Sequence, residues 1–412
     1  MRFGGNLQQT KQAFVRILQI HNRYLFRGGE DASVDRVFQT LSPNHLLRRC
    51  IFSSTEWKHE AAPTIWRQPF LMWRNPEALA RIKEAHKELR PDLWLVHNVY
   101  PVASAAVYEL ARNLCVPVMY FGHNFRPFSV NGYCWAGRHL APQGLHGNYW
   151  PEILAGSWQN SRLKTAVFAR VLRKLRASGW LDSIKAWVAI SDFMRERYIE
   201  TGVPAERVFT LRHSWDLLNQ AAVAFEDNAS VLYLGRLSHE KGIPVLLEAW
   251  RTFRAAQPSN SQLSRLVIAG EGPLQHMVEK AAASDPSIRF EGYVSGDRKA
   301  ELLRCCRAVV VPSVWWEALG LVAYEAYDYS KPVLAARSGG LTETMTDQQT
   351  GLLHEPGNAD ELARHLQLMA NEPAKAEIWG SQGRAWLERN TSSKDWLERF
   401  NTIANFAVHG RT

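Results

Sequence analysis

Cysteine is scarce in this sequence of 412 residues. The five cysteines are an odd number and include no C-x-x-C pair: Cys50, Cys115, Cys134, Cys305 and Cys306. Disulfide frameworks and thiolate zinc sites depend on paired or closely spaced cysteines. The spacing therefore predicts free structural thiols and indicates neither kind of site.

Long apolar runs are also lacking. No segment approaches the roughly 18 apolar residues that a membrane-spanning helix requires. Residues 1–14 (MRFGGNLQQTKQAF) have no apolar core of the kind found in a signal peptide. We therefore expect a cytoplasmic protein.

The sequence contains no D-x-D pair. Neighbouring carboxylates of this kind hold a divalent metal ion, because hard cations prefer carboxylate oxygens. We therefore expect no bound metal and no other cofactor.

The overall composition is that of a globular protein, with 46% hydrophobic and 22% charged residues. A chain of this length exceeds one comfortable hydrophobic core, so we expect two domains. No internal repeat or low-complexity segment interrupts it.

Charge is unevenly distributed along the chain. Residues 1–220 contain 29 Lys and Arg against 17 Asp and Glu, whereas the remainder contains 20 against 23. The basic half indicates a polyanionic neighbour. An anionic membrane surface, an acidic substrate and nucleic acid all remain open on this evidence.

Short β-rich runs alternate with helical patterns, which is typical of parallel sheets flanked by helices. The predicted strands are residues 14–22, 93–98, 116–124, 187–191, 231–236, 266–272, 308–313 and 332–336. The series restarts after a boundary near 217–229. We therefore predict an α/β protein with two doubly wound, Rossmann-like domains that face each other across a cleft, at 1–220 and 221–388.

Two glycine-containing loops follow strands of the second half. In GRLSHEKG (235–242), Arg236 and Lys241 are suited to binding phosphates, although a solvated loop capped by Ser238 is an alternative. In GEGP (270–273), the third glycine of a dinucleotide fingerprint is missing, because Gln275 stands there. A nicotinamide site is therefore not favoured.

The segment EALGLVAYE (317–325) carries two carboxylates in apolar surroundings. We predict that Glu317 lies in a loop, that a helix begins near Gly320, and that Glu325 projects from its second turn. The N–H groups of Gly320 and Leu321 would then favour an anion such as a diphosphate. The carboxylates could bind ligand hydroxyls, or Glu325 could be a partly buried ion-pairing residue.

Four motifs together resemble the family 4 glycosyltransferases, which are retaining enzymes of the GT-B fold that use nucleotide-sugar donors. These motifs are GRLSHEKG, IAGEGP, PSVWWEALGLVAYEA and SGGLTE, in the family's order and spacing. FRGGEDASV (26–34) and GHNFR (122–126) are similar to the family's glycine loop and histidine loop. The similarity covers most of residues 14–390.

The resemblance implies a role for each donor-site residue. Arg236 and Lys241 would bind the donor diphosphate, Glu325 the ribose, and Glu317 the transferred sugar. Gly28 and Gly29 would let backbone approach the phosphates. The resemblance also implies that a helix in 389–412 returns to the first domain.

The resemblance further places His123 beside the sugar. A histidine at the end of a strand, satisfied by backbone groups, is the alternative. Retention is implied, and no N-terminal carboxylate stands out as the general base that inversion requires; Glu30 and Asp31 are the nearest candidates. HSWD (213–216) departs from the family's Asn-Gly-Val-Asp, which predicts an altered base or sugar pocket near Asp216.

A basic amphipathic helix is predicted within residues 161–180. Apolar residues recur at helical spacing, and most arginines lie on the other arc. The apolar positions are Leu163, Val167, Val171 and Leu175, and the nearby tryptophans are Trp150, Trp158, Trp180 and Trp187. The helix could contact an anionic membrane, at its inner face, or pack against its own sheet.

The sequence thus predicts a retaining glycosyltransferase with a glycan, lipid-linked or lipopolysaccharide-type acceptor. It would act in polysaccharide or lipopolysaccharide biosynthesis without binding nucleic acid. Two alternatives stay open: a nucleotide-sugar epimerase or hydrolase of the GT-B fold, and a non-catalytic basic binding module.

Overall fold

The structure is a computed structural model that describes residues 14–25, 28–58, 62–64, 66–217, 230–256 and 263–410. The chain forms two compact units. One comprises Met1–Gly122, Lys174–Val188 and Lys394–Thr412, and the other comprises His123–Arg173 and Ala189–Ser393. Most of the predicted boundary near 217–229 lies outside the described residues.

The described residues of the first half of the chain form eight strands. They are β1 (Arg16–Arg23), β2 (Leu46–Ser53), β3 (Leu93–Val96), β4 (Val118–Gly122), β5 (Trp135–Ala136), β6 (His139–Leu140), β7 (Ile184–Ala189) and β8 (Val208–Thr210). Strands of the first unit lie in the order β2-β1-β3-β4-β7. β1 pairs in parallel with β2 and β3, and β3 pairs in parallel with β4.

The second half contains a six-stranded sheet. Its strands are β9 (Ser230–Leu234), β10 (Arg265–Ala269), β11 (Ile288–Gly292), β12 (Ala308–Val311), β13 (Val333–Ala336) and β14 (Gly351–His354). They lie in the order β11-β10-β9-β12-β13-β14, and their pairings are parallel. This is the Rossmann strand order, with a switch point between β9 and β12.

Helices connect the strands of both halves. In the first half they are α1 (Gly29–Leu41), α2 (Gln68–Trp73), α3 (Pro76–Leu89), α4 (Ala106–Asn113), α5 (Trp150–Ala155), α6 (Arg162–Ala177) and α7 (Asp192–Glu200). In the second half they are α8 (Ile243–Ala256), α9 (Gln275–Ser284), α10 (Gly296–Cys305), α11 (Leu321–Asp328), α12 (Leu341–Thr344), α13 (Ala359–Asn371), α14 (Pro373–Asn390) and α15 (Ser393–His409). The predicted α/β class with two Rossmann-like domains is confirmed.

Apolar side chains from strands and helices form the core of the second half. Val231 and Ile268 on the sheet pack in one buried cluster with Leu246 and Trp250 of α8. Full burial of such a side chain contributes about 1.5–3 kcal/mol. This packing fixes β9 and therefore the loop that follows it.

The last helix, α15, contributes aromatic residues to the core of the first unit. Trp396 lies against Phe121, with ring centroids 6.3 Å apart, and Phe400 lies against His45 at 6.1 Å. The chain end from Lys394 onward thereby belongs to the first unit.

The predicted basic helix is present as α6. Its buried face includes Val171 and Leu175, whereas Leu163 is 67% exposed. Trp180 and Trp187 are buried, so packing inside the protein accounts for both. Within the described residues, no helix is both long and apolar enough to span a bilayer.

Candidate functional site

The switch point of the second sheet brings the predicted loops together. β9 and β12 are neighbours, and the loop 235–242 follows β9 while the loop 312–320 follows β12. Ligands of open α/β sheets bind beyond the carboxyl ends of the strands at such a point. The topology thus places two of the four quoted motifs at one candidate site.

Lys241 and Glu317 form the central contact of this site. Lys241 Nζ lies 2.7 Å from Glu317 Oε1, which also accepts hydrogen bonds from Ser313 Oγ at 2.6 Å and Trp315 Nε1 at 3.1 Å. Glu317 is 6% exposed. A buried carboxylate thereby has three donors on a single oxygen.

These contacts determine the charge of Glu317. Burial raises the pKa of the carboxyl, but the charge of Lys241 and the hydrogen bonds from Lys241, Ser313 and Trp315 outweigh it, so that the pKa is below its usual range. Glu317 is therefore a carboxylate at neutral pH. It can accept hydrogen bonds from hydroxyl groups of a ligand.

The SGGLTE motif fixes the backbone around Glu317. Gly340 N donates to Glu317 O at 2.7 Å. Gly339 has a φ of +54°, and a Cβ there would lie 2.4 Å from Glu317 O. The close approach requires glycine, so this motif serves the position of Glu317.

Helix α11 begins at Leu321, as predicted, and Glu325 lies in its second turn. Gly320 caps the helix with a φ of +85°, and a Cβ there would lie 2.4 Å from Leu341 Cδ1. Among the described residues, the N–H groups of Gly320 and Leu321 have no acceptor. Such free groups favour a bound anion.

Glu325 forms an ion pair within the protein. Its Oε1 lies 2.6 Å from Lys299 Nζ on α10, and its side chain is 22% exposed. The partly buried ion pair considered for Glu325 is therefore present. A ribose could bind Glu325 only by sharing or displacing Lys299.

Arg236 is exposed, and among the described residues nothing pairs with its guanidinium group. Tyr233 Oη donates to the Arg236 carbonyl at 2.7 Å, which fixes the backbone of the loop. A cation without a protein partner remains available for an anionic ligand.

The glycines of GEGP have a packing role. A Cβ at Gly270 would lie 1.8 Å from Gly235 O, and one at Gly272 would lie 2.4 Å from Leu237 O. These glycines let the loop after β10 pack against the loop after β9. Their spacing therefore needs no dinucleotide to explain it.

Gly28 and Gly29 lie at the start of α1 in the first unit. Gly28 caps the helix, and no atom of the described residues lies within 4 Å of a Cβ built at either position. Packing among the described residues thus does not require glycine at these positions. Open space beside the backbone is compatible with a ligand that approaches closely.

His123 follows β4 and is 9% exposed. Its ring stacks on His213, with centroids 5.3 Å apart and planes inclined by 11°. His213 belongs to the HSWD segment, where Trp215 Nε1 donates to Asp328 at 2.9 Å and Asp216 accepts from Ser393 at 2.7 Å. Sequence reasoning did not anticipate the partner role of His213, because no spacing signal links it to His123.

Three other residues at the site were also not predicted. Lys299 pairs with Glu325, Trp315 contacts Glu317, and Tyr133 lies edge-on against Trp315 at 4.9 Å. The fold brings these side chains to the site from distant parts of the chain, and no local sequence pattern predicts their contacts. Within the described residues, no group of three or more His, Cys, Asp or Glu side chains is arranged to hold a metal ion.

Two family models match the chain. The model described as glycosyl transferase 4-like domain matches residues 55–212, and the model described as glycosyl transferases group 1 matches residues 217–386. Together they account for most of the chain, and the second contains Arg236, Lys241, Glu317 and Glu325.

Curated relatives match a shorter segment. The glycogen synthase of Mycobacterium tuberculosis is 33% identical over 171 residues, which are 41% of this chain and 39% of the relative. The lipopolysaccharide 1,2-N-acetylglucosaminetransferase of Salmonella typhimurium is 33% identical over 178 residues, which are 40% of this chain and 46% of the relative. The chain thus matches less than half the length of each.

Solved structures match almost the whole chain. Anabaena HepE in complex with UDP has a TM-score of 0.66 and 16% identity, with coverage of 94% of this chain and 98% of HepE. The apo form of the lipopolysaccharide outer core galactosyltransferase WaaB has a TM-score of 0.64 and 15% identity, with coverage of 94% and 98%. The fold, the four ordered motifs and the two family models agree: the chain belongs to the family 4 glycosyltransferases of the GT-B fold.

Proposed function

We propose that the protein is a retaining glycosyltransferase that moves a hexose or related sugar from a nucleotide-diphosphate donor. The Lys241–Glu317 pair at the switch point is the observation that carries this proposal. It offers a cation for phosphate and a carboxylate for sugar hydroxyls, beside the free N–H groups of α11. HepE was solved with UDP and with UDP-glucose, which supports a nucleotide-sugar donor.

The proposed acceptor is a glycan, a lipid-linked glycan or a lipopolysaccharide. Two proteins similar to this chain are named as lipopolysaccharide glycosyltransferases, and another is named as a glycogen synthase. These names support a carbohydrate acceptor. The protein would then act in polysaccharide or lipopolysaccharide biosynthesis.

In the proposed reaction, the acceptor hydroxyl oxygen bonds to the anomeric carbon while the bond from that carbon to the donor phosphate breaks. The departing phosphate oxygen takes the hydroxyl proton on the same face, so the anomeric configuration is retained. Lys241, Arg236 and the N–H of Leu321 would stabilise the charge that develops on the phosphate. The reaction therefore draws its cationic stabilisation from the chain itself.

Glu30 and Asp31 are the candidate general bases that an inverting reaction would require. Glu30 accepts a hydrogen bond from Tyr24 Oη at 2.8 Å, and Asp31 lies 2.8 Å from His21 Nε2 with both side chains buried. Each candidate base already has a protein partner. An inverting mechanism would need one of them, or His21 oriented by Asp31, to reach the acceptor hydroxyl.

The experiment that tests this function is product analysis by NMR. A thermal-shift screen of nucleotide sugars first selects the donor, and transfer is then followed with glycan and lipopolysaccharide acceptors, with and without EDTA. We expect an α-linked product from an α-linked donor, and we expect transfer to persist in EDTA.

Other products would contradict the proposal in distinct ways. A β-linkage from an α-donor would overturn retention, and a strict metal requirement would overturn neutralisation by the chain alone. Free sugar or an isomerised nucleotide sugar, formed without acceptor, would identify a hydrolase or an epimerase. Failure to bind any nucleotide sugar, together with salt-dependent binding to duplex DNA, would identify a basic binding module.

The proposal includes contact with an anionic membrane leaflet. Trp150 and Leu154 are 63% and 60% exposed and line an open cavity of about 490 Å³ together with Arg138. Arg162 Nε donates to Leu154 O at 2.9 Å, which places the start of α6 beside Leu154, and the next residue, Leu163, is 67% exposed.

The charge of this protein surface also favours binding to an anionic lipid. Arg138, Arg162, Arg170 and Arg173 are exposed, whereas the only carboxylate within residues 136–173 is the buried Glu152. Exposed apolar side chains surrounded by cations suit the interface of an anionic bilayer.

We expect binding to phosphatidylglycerol vesicles to exceed binding to phosphatidylcholine vesicles and to fall as salt rises. Trp150→Ala combined with Leu163→Ser should weaken it, because both substitutions remove exposed apolar side chains. Ile378→Ser, which removes a 54% exposed apolar side chain of α14, is the control. Equal binding to both lipids, or equal loss in the control, would rule out this surface.

A further inference from the structure

Trp315 contacts both charged residues of the Lys241–Glu317 pair. Its indole N–H donates to Glu317 Oε1 at 3.1 Å, and Lys241 Nζ lies 4.6 Å from its ring centroid. The side chain is 7% exposed. One residue thus serves as a hydrogen-bond donor to the carboxylate and as a cation–π partner of the ammonium group.

The two contacts matter most when a donor binds. If Lys241 turns to the donor phosphate, Glu317 loses its counter-charge while it stays buried. The N–H of Trp315 and the hydroxyl of Ser313 then remain as donors to Glu317 Oε1. A buried carboxylate without donors is unfavourable, so these bonds keep Glu317 ionised and oriented.

The indole is itself held in place by neighbouring groups. Tyr133 lies edge-on against the ring, with centroids 4.9 Å apart and planes inclined by 83°. Ser338 Oγ donates to the Trp315 carbonyl. The ring and the backbone of Trp315 are thereby fixed from two directions.

The loop that carries Tyr133 is fixed by a buried carboxylate. Tyr133 N donates to Asn131 Oδ1 at 2.9 Å, and Glu152 Oε1 accepts from the N–H groups of Val130 at 2.9 Å and Asn131 at 3.3 Å. Glu152 is 1% exposed. A continuous set of contacts therefore runs from Glu152 to the Lys241–Glu317 pair.

We infer that Trp315 is a positioning residue that sets the orientation of Glu317 toward the sugar and of Lys241 toward the diphosphate. This inference rests on the proposed transferase function. Of the aromatic side chains, phenylalanine offers a ring without a donor. Tryptophan is suited to both contacts because its N–H points outward in the plane of the ring, whereas a cation binds above that plane.

Two substitutions separate the contacts. Trp315→Phe removes the N–H and keeps a ring beside Lys241, whereas Trp315→Leu removes both. Trp316→Phe is the matched control, because Trp316 packs on Phe125 and Phe193, with ring centroids 6.4 Å and 5.3 Å away. Thermal unfolding of all three variants checks that the fold is retained.

We expect Trp315→Phe to lower kcat about tenfold, which corresponds to a hydrogen bond to a charged group, and to change KM for the donor less than about threefold. The acidic limb of the kcat/KM profile should shift to higher pH, because loss of the N–H raises the pKa of Glu317. Trp315→Leu should also raise KM for the donor. Trp316→Phe should stay within about twofold of the unmodified protein in both constants.

A titration of the ligand-free protein keeps the inference separate from the proposed function. Side-chain ¹³C NMR of labelled glutamate should show a higher pKa for Glu317 in Trp315→Phe than in the unmodified protein or in Trp316→Phe. An unchanged titration, or kinetics equal to those of Trp316→Phe, would overturn the positioning role. A shifted titration in a protein that neither binds nor turns over any nucleotide sugar would keep the contact and reject the transferase.

Discussion

Replacement of Lys241 by alanine is expected to weaken binding of a nucleoside diphosphate by about 10- to 100-fold, because a charge-assisted bond to phosphate is lost. The affinity is measured by calorimetry with whichever of UDP, GDP and ADP binds the unmodified protein. The same substitution leaves Glu317 buried without its counter-charge. The free energy of unfolding should therefore fall by about 1–3 kcal/mol.

A second cation distinguishes ligand binding from stability. Arg236→Ala should also weaken nucleoside-diphosphate binding, but the free energy of unfolding should stay unchanged, because Arg236 is exposed. Arg265→Ala is the control, since the exposed Arg265 begins β10 at the amino edge of the sheet, away from the switch point. Undiminished affinity in Lys241→Ala would remove Lys241 from the donor site.

The sign of the pH dependence follows from the lowered pKa of Glu317. A carboxyl whose pKa is lower in the folded protein stabilises the fold above its unfolded pKa, and this stabilisation is lost as the pH falls through the folded value. In Lys241→Ala the pKa of Glu317 rises, so less of this stabilisation remains at neutral pH. The two proteins should therefore differ most in stability near neutral pH and converge in acid.

The strands that the sequence predicted share one property: most of their residues are buried, whichever face of the sheet they lie on. β3, β4 and β12 are buried along their whole length. Strands buried on both faces read as continuous apolar runs, which the sequence shows directly.

The strands that were missed lack that signal. Only Cys50 and Phe52 are buried in β2, which also contains Arg48 and Arg49, while β11 carries Arg289 and Glu291. Charged side chains on an exposed face interrupt the apolar run. β14 reads GLLH, with only two consecutive apolar residues and no β-branched or aromatic side chain, so it carries little strand signal.

The sequence predicted which residues belong to the candidate site, but it did not predict which of them contact one another. Motifs after β9 and β12 predicted Lys241 and Glu317 as donor-binding residues. The ion pair between them, however, joins residues 76 positions apart. Such a contact depends on which strands are neighbours and on their register, and neither is encoded locally. The same reason applies to Lys299, whose pairing with Glu325 requires α10 and α11 to lie side by side.

Replacement of His123 by alanine is expected to lower kcat about 100-fold, the cost of removing one preorganised polar group from a reacting centre. Donor affinity should change less than about threefold, because the proposed phosphate contacts belong to Lys241, Arg236 and α11. The measurement is steady-state transfer kinetics together with calorimetry of the donor nucleotide. His146→Ala is the control, since His146 is an exposed histidine that also lies within His123–Arg173.

A third variant distinguishes electrostatic support from covalent catalysis by His123. His123→Gln keeps a polar side chain with an N–H donor, and it should regain about tenfold of the turnover that His123→Ala loses. An obligatory nucleophile would not be rescued in this way, and it would leave a glycosyl adduct on His123 that mass spectrometry detects. Stacking on His213 at 5.3 Å gives His123 a fixed orientation, so the glutamine should recover part of the activity rather than all of it. Near-normal turnover in His123→Ala would remove His123 from the reaction. A glycosyl adduct on His123 would replace support of the sugar with nucleophilic attack, and no recovery in His123→Gln would contradict support by an N–H donor.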